Sequence, residues 1–375
     1  MALHFLTFDG ANAFQQYIPL WEDLLDRVRA SLEAPDYFLS ASWLNPWLHH
    51  RGSHEKFFWA VLAEQGTNRW VAALPMSVAR NSQFGTSLRH LVVAGYPESD
   101  CVFIPAESNG ARTQLVSQIL NHWEAKMEKV VACDFREIPN GGPTQGALEA
   151  CAQEGSRRPI FQIVAKSPRY SLEDFIASGS KTTGKLGRNL RRSLRILNEA
   201  GKPQFHFDLV SAEEAEDKLN LCRRLESESW KGSQDVGALT EVNLPFIADV
   251  WENLIRDGQL ALGILTLDGK PIAYHWGMVH RGVFLSYNLA QISSADSLSP
   301  GTLLLDHMIQ NASALGIREF DASRGGLNHN HSLAYYKGPT RWHSRVFLCR
   351  RSALGRLIAW KVRRRISEQV ATCKD

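Results

Sequence analysis

Apolar residues recur along this chain at two periods, and the switches between them lay out its elements. Phe14, Tyr17, Ile18, Trp21, Leu24, Leu25 and Val28 fall at helical spacing, which predicts an amphipathic helix over 14–31, followed by a second over 42–49. Apolar and β-branched runs predict strands over 57–62 and 70–79, parted by the turn Gly66-Thr67-Asn68, and a shorter pair over 91–93 and 102–104. A helix over 114–127 and a buried strand over 130–135 come next. The second half then repeats the order. Helices are expected over 172–176 and 186–198, a strand over 204–210, and helices over 212–227 and 244–256. Strands over 260–267, 271–279 and 283–290 are joined by Asp268-Gly269 and Arg281-Gly282, both suited to tight hairpins. Strands over 318–322 and 344–350 and a tail helix from 353 complete the chain. Helices, then an antiparallel meander, then helix and strand is an α+β order. Glycine, proline and serine cluster between 140 and 170, which puts the domain junction there: 1–158, then 159–352, then a tail over 353–375.

The stretch between the last hairpin and its helix is the most informative. Ser299 suits an N-cap and Pro300 the first helical position, where a missing amide costs nothing. Leu304, Leu305, Met308, Ile309 and Ala312 continue at helical spacing to a stop at Gly316. Amides of Gly301, Thr302 and Leu303 at such a start, backed by the helix dipole, can hold an anion. An ordinary capped helix has the same pattern.

Composition narrows the classes. With 375 residues, 44% hydrophobic and 22% charged, the chain suits two globular domains. No apolar run approaches the roughly 18 to 20 residues of a membrane span, and the first residues, lacking a basic region before an apolar core, are not expected to be a secretory signal. The cysteines are scattered without a C-x-x-C pair, which fits a reducing cytoplasm. A net charge of +3 argues nothing about nucleic acid, but its distribution is uneven. Lys181, Lys185, Arg188, Arg191, Arg192 and Arg195 lie in an acid-free stretch, and Arg356, Lys361, Arg363, Arg364 and Arg365 form a second group. No Walker loop, nucleophile elbow or dinucleotide fingerprint is present, and the histidines of Asn328-His329-Asn330-His331 have no partner at ligand spacing, so no metal is expected.

Four segments carry a family resemblance: Lys185-x-x-Arg188-Asn189-Leu190-Arg191-Arg192, Trp230-Lys231, Ser299-Pro300-Gly301-x-Leu303-Leu304, and Phe320-Asp321 with Tyr336-Lys337 downstream. Residues 160–350 resemble the GCN5-related N-acetyltransferases (GNAT), and within them the CelD-type (BioF2-like) domain and its FemAB-type relatives. The resemblance implies two acetyltransferase-like domains in tandem, each a mixed, mostly antiparallel sheet flanked by helices, with the donor site in the second. It implies acetyl-CoA or another acyl-CoA as co-substrate and transfer to an amino group of a sugar or small metabolite in surface polysaccharide synthesis. A FemAB-like transferase using aminoacyl-tRNA on a cell-wall precursor, and a non-catalytic binding module, are the alternatives.

In such a fold an amine attacks a carbonyl held between two splayed strands, so positioning and donors toward the oxyanion dominate. Backbone amides at Tyr287, Asn288 and Leu289 are candidate donors, and Ser299, Gly301, Thr302 and Leu303 candidate contacts to the co-substrate. Tyr336 is a candidate acid for the leaving group, Lys337 a neutralising charge, and Asp321 a base or a turn cap. Arg324 lies near that mouth. Lys185, Arg188 and Arg192 would meet a phosphate-bearing acceptor or pack on an acidic surface. Trp230 and Lys231 would wall the acceptor or enter the core. The tail puts Leu354, Leu357, Ile358 and Trp360 on one side of a basic helix, to lie on an anionic leaflet or dock on the protein. A small or lipid-linked anionic acceptor and a cytoplasmic enzyme, at the inner membrane face if the tail binds lipid, follow from these readings.

Overall fold

A computed structural model describes residues 2–51, 56–81, 88–154, 159–177, 182, 184–327 and 331–372. Asn328, His329, Asn330, Lys181 and residues 156–158 of the expected junction therefore lie outside the described residues. In chain order the first elements are β1 (Leu3–Asp9), α1 (Ala11–Val28), α2 (Ala41–His50), β2 (Phe57–Glu64), β3 (Trp70–Asn81) and β4 (Leu88–Val93). Next are α3 (Asn109–Lys126), β5 (Val130–Pro139), α4 (Pro143–Glu154), β6 (Ile160–Ser171), α5 (Leu172–Ala177) and α6 (Gly184–Ala200). Then β7 (Pro203–Leu209), α7 (Ala215–Ser227), α8 (Trp230–Ser233) and α9 (Leu244–Arg256) precede the meander β8 (Leu260–Leu267), β9 (Lys270–His280) and β10 (Val283–Gln291). The chain ends with α10 (Pro300–Asn311), β11 (Glu319–Asp321), β12 (Thr340–Cys349) and α11 (Ala353–Thr372).

Two compact units form, one from residues 1–165 with 342–375, the other from 166–341. The boundary expected at 352 is thus moved, and the tail is no separate body. Trp342 onward belongs to the first unit because β12 pairs with β5 from His343 to Cys349. In unit 1 the strands run β1-β2-β3-β4-β5-β12, with only β4 and β5 parallel. Aromatic side chains fill its core: the Phe14 and Trp59 rings stack at 5.3 Å, and the buried Trp21 indole donates to the Leu39 carbonyl at 2.7 Å. The link from β4 to α3 packs over Trp43 and Trp47, whose indoles donate to Ser99 Oγ and to the Tyr96 carbonyl. No strand forms over 102–104; that segment runs extended to an isolated bridge between Ala106 and Ala72.

Unit 2 has the order β6-β11-β10-β9-β8-β7, with β10 and β11 its parallel pair. Both expected hairpins form, and Asp268, Gly269, Arg281 and Gly282 all have positive φ. Side-chain alternation sends Ala261, Leu265, Ala273 and Phe284 to one face, where α10 and α6 cover them through Leu304, Met308, Leu190 and Leu197. Gly263 lets α10 approach closely, since a Cβ there would lie 2.7 Å from Met308 Sδ. The other face carries Tyr274 and Trp276 toward α7 and α9, with Trp276 edge-on to Trp251 at 5.5 Å.

The tail differs from the helical-wheel expectation. Ile358 and Val362 are buried against Ala132, Ile160 and Phe347 of unit 1, whereas Leu354, Leu357 and Trp360 are exposed. Ile358 is therefore part of the docked seam, not of the outer face. The physical reason is the 3.6-residue period: positions 355, 358 and 362 make the stripe that reaches the sheet.

Candidate active site

The parallel pairing of β10 with β11 lasts only from Val283–Glu319 to Leu285–Asp321. Beyond it β10 runs on to Gln291 without that neighbour, and its register against β9 slips between Ser286 and Asn288. The extra residue is Tyr287. A bulge where two strands part bends the strand and re-aims its backbone. Tyr287, Asn288 and Leu289 thus sit at the irregular centre of the unit.

On the α7 face, Lys231 reaches this bulge. Its Nζ donates to Asn288 Oδ1 and to the Leu289 carbonyl, both at 2.7 Å. Asn288 Nδ2 in turn donates to Glu226 Oε2 at 2.6 Å and to Tyr274 Oη at 2.9 Å, and Tyr274 donates to the same Glu226 oxygen at 3.0 Å. The other Glu226 oxygen accepts from the Leu239 amide at 2.6 Å. Burial pulls the Lys231 ammonium pKa down, against the opposing charge of Glu226. This buried network fixes Asn288, and Asn288 fixes the lysine. Lys231, Glu226, Gly232 and Leu239 border a cleft of about 690 Å³. Trp230, 52% exposed, is the neighbour of Lys231 in α8 and lies outside the core.

The α10 face holds a second set. His275 Nε2 lies 2.6 Å from Ser286 Oγ, which lies 3.3 Å from His331 Nε2. His331 Nδ1 accepts from the Leu333 amide at 3.1 Å, so in the neutral ring the proton sits on Nε2 and points to Ser286. Burial, with Lys231 adding to it and Asp321 opposing, holds His331 down to about 4, and His275 falls well below its usual value for the same first reason. His331 is the one described member of the histidine run, and it serves as a donor at the splay.

Next to it lies a cleft of about 790 Å³, lined on α6 by Lys185, Asn189 and Ser193, by Ser299 just before α10, on α10 by Thr302 and Leu303, and by Tyr336 and Lys337. The helix start differs from expectation. Ser299 is left-handed (φ 55, ψ 43) and makes no side-chain cap. Gln291 caps instead, its Oε1 accepting from the Gly301 amide at 2.9 Å while its Nε2 donates to Asp296. A Cβ on residue 301 would lie 2.9 Å from Gln291 Oε1, so a larger residue there would push the glutamine cap aside. A carbonyl oxygen thus occupies the place at which an anionic oxygen would meet that amide.

Of the two readings of Asp321 the turn cap is the one that forms, and Tyr336 departs from its expected role. Asp321 is buried without exposure, and its carboxylate accepts from Arg341 at 2.7 and 3.1 Å, Ser167 at 2.7 Å and the Ser323 amide at 2.8 Å. Burial alone would raise its pKa, but Arg341 with Ser167 and Arg169 outweighs burial and lowers it. A buried carboxylate that accepts four hydrogen bonds, one of them from the turn that follows it, is a structural anchor. Tyr336 donates to Asp306 Oδ1 at 2.7 Å, and burial, then the Asp306 charge, push its phenol far up, so it is a poor acid for a thiolate and instead shapes the cleft. Lys337 is exposed at the left-handed end of its turn (φ 59), on the cleft rim. Arg188 and Arg192 face solvent along α6, and Arg324 is exposed beyond β11; no acidic surface of the described residues covers the α6 arginines. Glu226, Tyr274, His275, Ser286 and Gln291 were not legible in advance. They sit in apolar strands or in the last turn of a helix, where only pairing shows that they converge.

The geometry can be set beside known proteins. Residues 184–337 match the family model described as an acetyltransferase (GNAT) domain. No curated protein sequence matches the chain. FemX superposes with a TM-score of 0.56 at 9% identity, covering 94% of this chain and 99% of that one. A tandem GNAT protein from the clavulanic acid biosynthesis pathway superposes with a TM-score of 0.52 at 13% identity, covering 94% and 100%. The C-terminal domain of a protein named as a lysylphosphatidylglycerol synthetase, from Agrobacterium fabrum, gives 0.54 at 13% identity, covering 92% and 95%. At such identities the likeness is one of fold. The chain has the fold of tandem GNAT proteins, and the stretch of its second unit over residues 184–337 is similar to the acetyltransferase (GNAT) domain.

Proposed function

We propose that unit 2 transfers an acyl group from acyl-CoA to an amine, with the donor entering from the α6–α10 cleft and the acceptor from the cleft at Lys231. The observation that carries this is the bulge at Tyr287 where β10 has left β11, with a desolvated lysine locked against it on one face and a histidine donor on the other. The donor cleft, at about 790 Å³, has room for a cofactor-sized molecule, and Lys185 and Lys337 on its rim complement phosphates. The neutral amine nitrogen attacks the thioester carbon, charge builds on the carbonyl oxygen, and the C–S bond breaks as the thiolate leaves and takes up the proton that the nitrogen loses. Lys231 is the donor for that oxygen, and its fixed position needs no reorganisation during the step. An acceptor in the surface-polysaccharide class is the finer reading, supported by the resemblance of the four segments and by the exposed Trp230, which offers a flat wall to a sugar.

The test is a thermal-shift series on the full chain with acetyl-CoA, longer acyl-CoAs and charged tRNA. A donor at about 100 times its Kd should stabilise by about 2.7 kcal/mol. Lys231→Met should keep donor binding and lose turnover with amine acceptors. Stabilisation by charged tRNA without any by acyl-CoA would replace the thioester donor by an aminoacyl ester, and silence toward both would leave a binding module.

A further inference from the structure

The described part of α11 shows two apolar faces where a docked helix needs one. Gly355, Ile358 and Val362 turn inward, yet Leu354, Leu357 and Trp360 stand 47%, 49% and 55% exposed on the opposite side. At 100° per residue Lys361 and Arg364 fall among these three, and Arg364 lies over the Trp360 ring at 5.8 Å. From Ala353 to Ile366 the helix has no acidic residue. An exposed row of leucine and tryptophan threaded with lysine and arginine is costly in water and fits a membrane interface, where the ring sits at headgroup depth.

A second observation in the same unit points the same way. Lys56, Arg80, Arg89, Lys126 and Lys129 line a cleft of about 560 Å³, in which Glu128 is the acid present. Arg80, Arg89 and Lys129 also border a smaller one of about 420 Å³ with Leu88 and Val131. Leu88 and Val131 pack against the cluster that seats Ile358 and Val362, so the cationic clefts adjoin the base of α11. Among the described residues Lys56 alone of these cations has a carboxylate partner, Asp9 at 4.0 Å. Helix-dipole compensation explains a lysine at the end of α3 but not arginines brought in from β3 and β4.

We infer that unit 1 docks on an anionic phospholipid surface, with Leu354, Leu357 and Trp360 entering the interface and the adjoining clefts taking phosphate headgroups. The surface is distinct from the acyl-transfer site and does not depend on that reading.

The experiment is flotation of the full chain with vesicles of phosphatidylcholine alone or mixed with phosphatidylglycerol. Binding is expected to the mixed vesicles only and to weaken with added salt. Arg80→Ser with Lys129→Ser should weaken it about 25-fold, at about fivefold per charge. Leu357→Ser with Trp360→Ser should weaken it too, without moving the melting temperature, since both side chains are exposed. Inorganic pyrophosphate offered without vesicles separates a lipid headgroup from a free phosphate. No binding to anionic vesicles at low salt, binding unchanged in either double variant, or stabilisation by pyrophosphate with indifference to vesicles would each overturn the proposal.

Discussion

Replacing Asp321 by alanine separates an anchor from a catalyst. Its carboxylate is fully buried, and the Arg341 side chain that grips it is 10% exposed. Two guanidinium bonds at 2.7 and 3.1 Å, one serine hydroxyl and one amide all end on this group. Removing it strands a guanidinium away from water, which costs roughly 3 to 5 kcal/mol in buried pairs of this kind. For a unit of this size, at about 2 to 4 °C per kcal/mol, unfolding should move down by roughly 6 to 20 °C. The assay is calorimetry of the full chain with urea unfolding at neutral pH, beside turnover per folded molecule. The pH dependence adds a sign. The folded carboxyl titrates below its unfolded value of about 3.9, so its contribution is in place above that value and is lost as pH falls through the folded pKa. Asp321→Asn should lose this acid limb while keeping most of its activity per folded molecule. A loss below about 1 kcal/mol together with abolished turnover would refute the anchor and return Asp321 to the chemistry.

Three further outcomes follow from the same geometry. Gln291→Ala should release the Gly301 amide and raise donor affinity if a phosphate competes for that amide; lowered affinity by isothermal titration would show that the glutamine itself holds the donor. Ile358→Ala should cost about 2 to 5 kcal/mol in unit 1, and truncation after Arg351 should expose its core and unfold it, so a truncated chain that melts like the parent would contradict the docking of α11. His90 and His331 are both held near 4 by burial, against about 6.5 when unfolded, so the unfolded chain binds more protons between these values. Stability should therefore fall as pH drops from about 6.5 toward 4, by up to about 3 kcal/mol for buried His90 and less for His331, and a flat urea midpoint across that window would exclude it.

Local order was determined by the sequence wherever period and punctuation agree. The run from Leu260 to Gln291 shows this best: its strands and two hairpin dipeptides fix which segments pair, while the register shifts at Leu265–Thr266 and Ser286–Asn288 were not legible in it. Helices α9 and α10 likewise follow from spacing and a proline near each start. Segments with mixed signals were lost. β6 carries Lys166, Pro168 and Arg169 and reads as a linker, while β1 is a partly buried edge strand with no turn to announce it. What tertiary structure alone decided is which polar residues meet. Glu226 and Asn288 are 62 positions apart, and Asp321 and Arg341 are 20 apart; no local preference brings either pair together. Pairing of strands and the face each residue takes do so, because a buried polar group must find its partner inside the protein or cost the fold its stability. The same rule converted three expected chemical groups. Asp321, Ser299 and Tyr336 have the right identities for base, cap and acid, but Arg341, Gln291 and Asp306 reach them or their places first. The tail is the clearest case. Its sequence allows either side of the helix to be the buried one, and only the sheet beneath it selects Ile358 and Val362 and leaves Leu354, Leu357 and Trp360 outside.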